Sequence, residues 1–324
     1  MIVRWGLGAL PAVLREAGVD RALLVTTERW RELDVPAARR YDGVRPHAPV
    51  DTVRAAVSAA RRADGLIGLG GGSAIDTAKA VSAETGLPLV AVPTTYAGAE
   101  WTPYFGIRDE AKRTKGGGTG AKTVGVVYEP KLTLGLPHDE TAGTALNALA
   151  HCAEALYVRG HNEAADHQAL AGAPLVATWL PRVLEQPDDL EARTRLLEGA
   201  MHAGMALGGS GLALAHAMAQ ALGGRYGLPH GALNALCLPP ALRFNEEAVP
   251  HAIAAFGRAL GTGDPAGRCE ELARLGGFER LRDLGVPADD LALVAEGAAV
   301  RPGARANPRP ASAAEIAELY RAIW

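Results

Sequence analysis

Over the first part of the chain, short aliphatic runs alternate with longer amphipathic stretches. Residues 22–27 read ALLVTT and residues 50–63 read VDTVRAAVSAARRA. The run GLIGLGGG follows, then AIDTAKAVSAETG, then PLVAVPTT at 88–95. Apolar runs of strand length separated by segments of helical period are the rhythm of β-α-β units, which predicts a parallel sheet with helices on its faces. After LTLGLPHDET at 132–141 the strand-like runs stop. Ala and Leu at helical spacing take over in ETAGTALNALAHCAEALY and GLALAHAMAQALGG, with Pro and Gly at the joints. The pattern predicts an α/β domain with a Rossmann-like parallel sheet over residues 1–137, followed by an all-α domain over 138–324.

Composition narrows the partners. A chain of 324 residues, 48% hydrophobic and 21% charged, is long enough to bury two cores. With 33 basic against 36 acidic residues it carries a formal charge of -3, so no overall positive field is available to hold nucleic acid. No stretch reaches the roughly 18 apolar residues of a membrane span. The opening MIVRWGLGALPAVLREAG is broken by Arg4 and Arg15 and does not read as a secretory leader. Cys152, Cys237 and Cys269 are odd in number and form no C-x-x-C pair, as expected of a reduced, cytoplasmic chain. The partner expected is a small molecule.

Candidate chemistry sits in two places. Gly70, Gly71, Gly72 and Ser73 lie between an apolar run and a helix-like segment that carries Asp76. Consecutive glycines let backbone approach a ligand closely, and the N–H groups of a helix's first turn receive phosphate oxygens, so a pyrophosphate fits. Thr94 and Thr95 end the next strand-like run and offer hydroxyls to a ribose or nicotinamide, with an ordinary turn as the alternative. Thr27 ends ALLVTT, where a dinucleotide's adenosine ribose is commonly met. Glu28, Arg29 and Arg31 follow, a mixture that permits NADH or NADPH. In the helical half, Asn147 and His151 stand four apart, as do His216 and Gln220, and His230 follows Pro229. Pairs at this spacing share a helix face, which is how bundles assemble metal or catalytic sites.

The segments GGGSAIDTAKA, PTTYAGAE, LNALAHCAEALY, HAMAQALGGRYGLPHGALNALCLPPALRFN and NPRP resemble, in order along nearly the whole chain, the iron-containing alcohol dehydrogenase superfamily and its maleylacetate reductase branch. The resemblance implies a dehydroquinate synthase-like, group III alcohol dehydrogenase architecture, with the glycine turn on the dinucleotide and an Asp and three His of the helical domain as metal ligands. Carried over by motif, the Asp position is Asn147, the three His positions are His151, His216 and His230, and a further histidine position is Gln220. A neutral amide in place of the carboxylate weakens a divalent site, and the branch reads Asn there too. No working metal is therefore expected, and any that bound would sit on His151, His216 and His230.

The expected activity is NAD(P)H-dependent reduction of a small oxo-acid, with maleylacetate to 3-oxoadipate as reference. Two alternatives are a Zn- or Fe-dependent alcohol or aldehyde dehydrogenase and a repurposed non-redox member of the fold. His151, His216, His230 and Asn147 are the catalytic candidates. Lys112, Lys115 and Lys122, three of five lysines, surround a Gly-rich stretch that reads as a mobile cationic flap, with Lys122 a candidate for substrate carboxylate. The resemblance also implies a homodimer.

Overall fold

The computed structural model describes residues 1–109, 111 and 114–324, and of Lys115 the backbone. The chain forms two compact units, Met1–Gly135 and Leu136–Trp324.

The first unit holds β1 (Ile2–Trp5), α1 (Leu10–Glu16), β2 (Ala22–Val25), β3 (Arg39–Tyr41), α2 (Val50–Ala59), β4 (Gly65–Gly70), α3 (Gly72–Thr85), β5 (Leu89–Pro93), β6 (Phe105–Asp109), β7 (Thr114–Gly118) and β8 (Thr123–Tyr128). Six strands form one sheet in the order β1-β8-β5-β4-β2-β3, every neighbouring pair parallel. Leu24, Ile67 and Val90 face one core and Leu23, Leu66 and Leu89 the other. Successive side chains of a strand point to opposite faces, so a sheet covered on both sides needs runs that are apolar throughout, as ALLV and LVAV are. In register, Gly70 lies opposite Pro93. The glycine turn and the Pro-Thr-Thr segment therefore leave the sheet side by side.

The glycine-rich stretch expected to be a mobile flap is instead largely strand. Residues Thr114–Gly118 pair antiparallel with Phe105–Asp109. Its glycines have a packing reason, because a Cβ on Gly117 would strike the Phe105 carbonyl and one on Gly118 would fall 2.8 Å from Cε2 of the Phe105 ring. Lys112 and the Lys115 side chain lie outside the described residues.

The second unit is helical: α4 (His138–Ala155), α5 (Glu163–Glu185), α6 (Leu190–Ser210), α7 (Leu214–Tyr226), α8 (His230–Asn245), α9 (Pro250–Ala259), α10 (Pro265–Leu275), α11 (Leu291–Ala299), α12 (Pro302–Ala306) and α13 (Ala313–Ala322). Starts follow sequence logic. Asn162 and Asp189 accept from Ala165 N and Ala192 N, and Ser312 with Glu315 forms a capping box. Helix α4 is buried almost throughout from Thr141 onward, so its polar residues must find partners inside the protein. Among the described residues no helix is long and apolar enough to cross a membrane.

Candidate active site

In the first unit, β4 ends on Gly70 at φ 142°, a conformation L side chains rarely adopt. Gly71 starts α3 without any side-chain cap, and a Cβ on it would fall 2.9 Å from Thr95 Cγ2. A Cβ on Gly72 would meet open space. The result is an uncapped helix start, backed by Thr95 and open at Gly72, which suits the close approach of an anionic phosphate. Thr94 N donates to Gly70 O at 3.0 Å and both threonines are largely buried. Ser73 Oγ accepts from His47 N at 2.9 Å, which positions the hydroxyl and leaves its O–H to donate. Thr27 bridges Gly43 through its backbone, and its buried neighbour Thr26 donates to Leu69 O at 2.8 Å, tying the end of β2 to β4.

Two sequence candidates make contacts of their own. Asp76 lies one turn into α3, where Oδ2 accepts from Gly106 N at 3.0 Å and Oδ1 lies 3.7 Å from Lys79 Nζ. It fastens the β6–β7 hairpin to the helix. Lys122 opens β8, and its Nζ would lie 3.6 Å from a Cβ on Gly86, at the far end of α3 from the glycine turn. A helix of 14 residues spans about 21 Å, so Lys122 does not join the other candidates of this unit. The motif residues at 99–102 and Tyr128 form a buried framework. Trp101 Nε1 donates to Tyr128 OH, which donates to Glu100 Oε1, both at 2.7 Å, while Lys79 Nζ donates to Ala99 O and Thr102 Oγ1. Burial pushes the Glu100 carboxyl up and the Lys79 ammonium down.

In the second unit, α4, α7 and the start of α8 converge. A Cβ on Gly231 would fall 2.8 Å from Gly143 Cα and closer still to its carbonyl group. The two helices thus touch backbone to backbone, one residue beyond His230 and one turn before Asn147. The rings of His151 and His216 stack with centroids 4.8 Å apart at 16°, and His230 lies 5.6 Å from His216. His216 Nδ1 donates to Glu154 Oε2 at 2.7 Å, and the same carboxylate accepts Ala213 N and His216 N, which starts α7. That contact fixes the proton of His216 on Nδ1. His216 Nε2 lies 3.3 Å from Asn147 Oδ1, which accepts from Asn234 Nδ2 at 2.8 Å; Asn234 Nδ2 also reaches His230 Nε2 at 3.1 Å. A chain of polar side chains thus runs from Glu154 to His230.

Burial, aided by the neighbouring His216 ring, holds His151 well below the usual histidine range, so it is neutral at pH 7. Its Nδ1 is buried and, among the described residues, has no hydrogen-bond partner. Gln220 lies one turn after His216 and its Oε1 accepts from Arg301 Nη1 at 3.3 Å. Sequence reasoning missed Glu154, Asn234 and Arg301. The first two were findable, being three residues after His151 and four after His230 on the same helices.

The iron-containing alcohol dehydrogenase family matches residues 5–126, and its C-terminal part, the Fe-containing alcohol dehydrogenase family C-terminal domain, matches residues 141–324. A maleylacetate reductase of Pseudomonas knackmussii is 39% identical over 296 residues, covering 88% of this chain and 84% of that protein. The crystal structure of maleylacetate reductase from Rhizobium sp. superposes with a TM-score of 0.91 at 33% identity, covering 100% of this chain and 95% of the other. A sulfoacetaldehyde reductase of Bifidobacterium kashiwanohense, solved in complex with NAD+, shares the fold with a TM-score of 0.90 at 23% identity, covering 100% and 96%. Matched over both units, this chain belongs to the iron-containing alcohol dehydrogenase family.

Proposed function

We propose that the protein is an NAD(P)H-dependent reductase of a small oxo-acid, acting on maleylacetate to give 3-oxoadipate, and that it works without a metal ion. The observation that carries the metal-free reading is the position of Asn147. The family name implies a divalent cation, whose oxygen ligand would fall at this residue, and here that residue is a neutral amide. Its Oδ1 accepts from Asn234 Nδ2, which also faces His230 Nε2. Three imidazoles and an amide carry no charge of their own to offset a dication, and the amide oxygen is already held by Asn234. The donor set does not fit a divalent cation.

The glycine turn fits a dinucleotide. Backbone N–H groups of Gly72 and Ser73 would receive its pyrophosphate, and Thr95 backs the turn. When bound, it supplies the hydride. The chain's own residues do the rest. Reducing the carbon–carbon double bond of a conjugated oxo-acid places negative charge on the carbonyl oxygen and calls for one proton at carbon. Neutral His151 contributes an N–H dipole rather than a full charge. His216, set by Glu154, and His230, joined to it through Asn147 and Asn234, hold or pass the proton. Arg29 donates to Gly135 O and Arg31 pairs with Glu28 and Glu32 at the surface; such exposed contacts exchange readily, so both NADH and NADPH serve as donors.

The three cysteines are free and buried, which suits the cytoplasm. Strand β1 is an edge strand with Trp5 exposed, the surface a homodimer would pair. The test is oxidation of NADH and NADPH by maleylacetate with metal-stripped protein, then with Zn²⁺ or Fe²⁺ added. Full turnover by stripped protein is expected; turnover that appears only with metal overturns the metal-free mechanism, and none under either condition overturns the substrate.

A further inference from the structure

Most arginines of the second unit that make ion pairs sit at its surface. Arg182, Arg195, Arg225, Arg243, Arg268 and Arg309 each meet a carboxylate. Arg301 differs. It stands just before α12, half-buried, and its Nε is buried and has no hydrogen-bond partner among the described residues. Its Nη1 donates to a neutral oxygen, Gln220 Oε1. The titratable group acting on it is the Tyr320 phenol, and burial pulls the guanidinium below its ordinary value. Arginine nonetheless stays charged, so a half-buried cation stands here without a matching anion among the described residues.

Its location gives that charge a use. Gln220 follows His216 by four residues on α7, so the two share a face about one turn, roughly 6 Å, apart. Residues 301–303 run along the same helix, since a Cβ on Gly303 would lie 2.6 Å from Ala213 O and 3.5 Å from Ala217 Cβ. Glutamine supplies an acceptor that steadies one N–H of the guanidinium without neutralising it.

We propose that Arg301 is the carboxylate anchor of this site, binding one carboxylate of the oxo-acid through its planar fork while Gln220 holds it in place. The inference rests on the reading of the protein as an oxo-acid reductase. It accounts for selection of a carboxylate-bearing substrate over a simple alcohol, since a guanidinium pairs bidentately with a carboxylate and gains nothing from a neutral carbonyl.

The test compares wild type, Arg301→Met and Gln220→Glu. Glutamate at 220 leaves Arg301 in place and gives it an internal counter-ion, so substrate must compete for it. Both variants are expected to raise KM for maleylacetate at least about tenfold with KM for NADH unchanged, and Gln220→Glu should melt no lower than wild type. Should Arg301→Met fail to fold, Gln220→Glu decides. An unchanged KM in Gln220→Glu, with wild type active, overturns the proposal. If wild type does not turn over maleylacetate, the functional reading has failed and the anchor is tested by calorimetry with succinate. Weaker binding to Gln220→Glu than to wild type sustains it; equal binding, or none to either, overturns it.

Discussion

Replacing Gly231 by alanine should disable the enzyme through one methyl group that touches no substrate. The new Cβ would lie 2.8 Å from Gly143 Cα and closer to its carbonyl group, whereas carbon atoms pack at about 3.5 Å or more. Helices α4 and α8 must therefore separate by about 1 Å. Overpacking of this kind costs about 1–3 kcal/mol, which lowers the melting temperature by a few degrees. The larger effect is on geometry. His230 is the adjacent residue, and it meets the rest of the site through the 3.1 Å contact with Asn234 and the 2.8 Å bond from Asn234 to Asn147. A displacement of about 1 Å at a catalytic group lowers turnover by about a hundredfold. Gly297→Ala is the control, because a Cβ there meets nothing within 4 Å and the residue lies inside α11; it should keep full activity and gain up to about 1 kcal/mol. Steady-state kinetics and thermal melts of both variants make the comparison. A Gly231→Ala enzyme with wild-type kcat and melting temperature would show that the helix contact does not set the site.

Glu154→Gln should lower kcat by about 10- to 100-fold with little change in KM, because a neutral amide still accepts from His216 Nδ1 but no longer offsets positive charge forming on the ring; a variant with wild-type kcat would refute this. Asn147→Asp should bind Zn²⁺ at least about tenfold more tightly than wild type in equilibrium dialysis, as the restored carboxylate supplies the missing charge; equal affinity would refute it. His151 sets a pH dependence. Its folded value is depressed, so the unfolded chain takes up the proton first, and stability falls as pH drops below about 6.5, by at most about 1.4 kcal/mol per unit. Thermal melts of wild type and His151→Gln between about pH 7.5 and 5.5 should converge towards the acid end, and parallel curves would contradict the assignment.

The sheet was readable wherever burial on both faces imposed apolar runs, as in β2, β4 and β5. It was not readable in β3, which spells Arg-Arg-Tyr, or in β7, spelt Thr-Lys-Gly-Gly-Gly, because those strands lie at an edge or in a small hairpin and need no apolar signal. The strand at 114–118 was hidden for that reason: glycines required by the approach of Phe105 have the same spelling as glycines of a loose chain. In the helical unit, spacing on one face exposed the histidines. Arg301 carries no such signal, since the bond that brings it to Gln220 spans 81 positions and depends on how α12 meets α7. Lys122 stood out because lysines are scarce, yet scarcity says nothing about where a strand begins.

The bond from Gly106 N to Asp76 also bears on what Asp76 does for the fold. The hairpin hangs on helix α3 by a residue from the helix's own second turn, with Pro49 bridging Arg108 from the other side. Both attachments are made by the backbone of β6, at Gly106 and Arg108. One carboxylate thus ties the hairpin to the very helix whose first turn follows the glycines, so a change at Asp76 would loosen the hairpin as well as alter the charge one turn from that helix start.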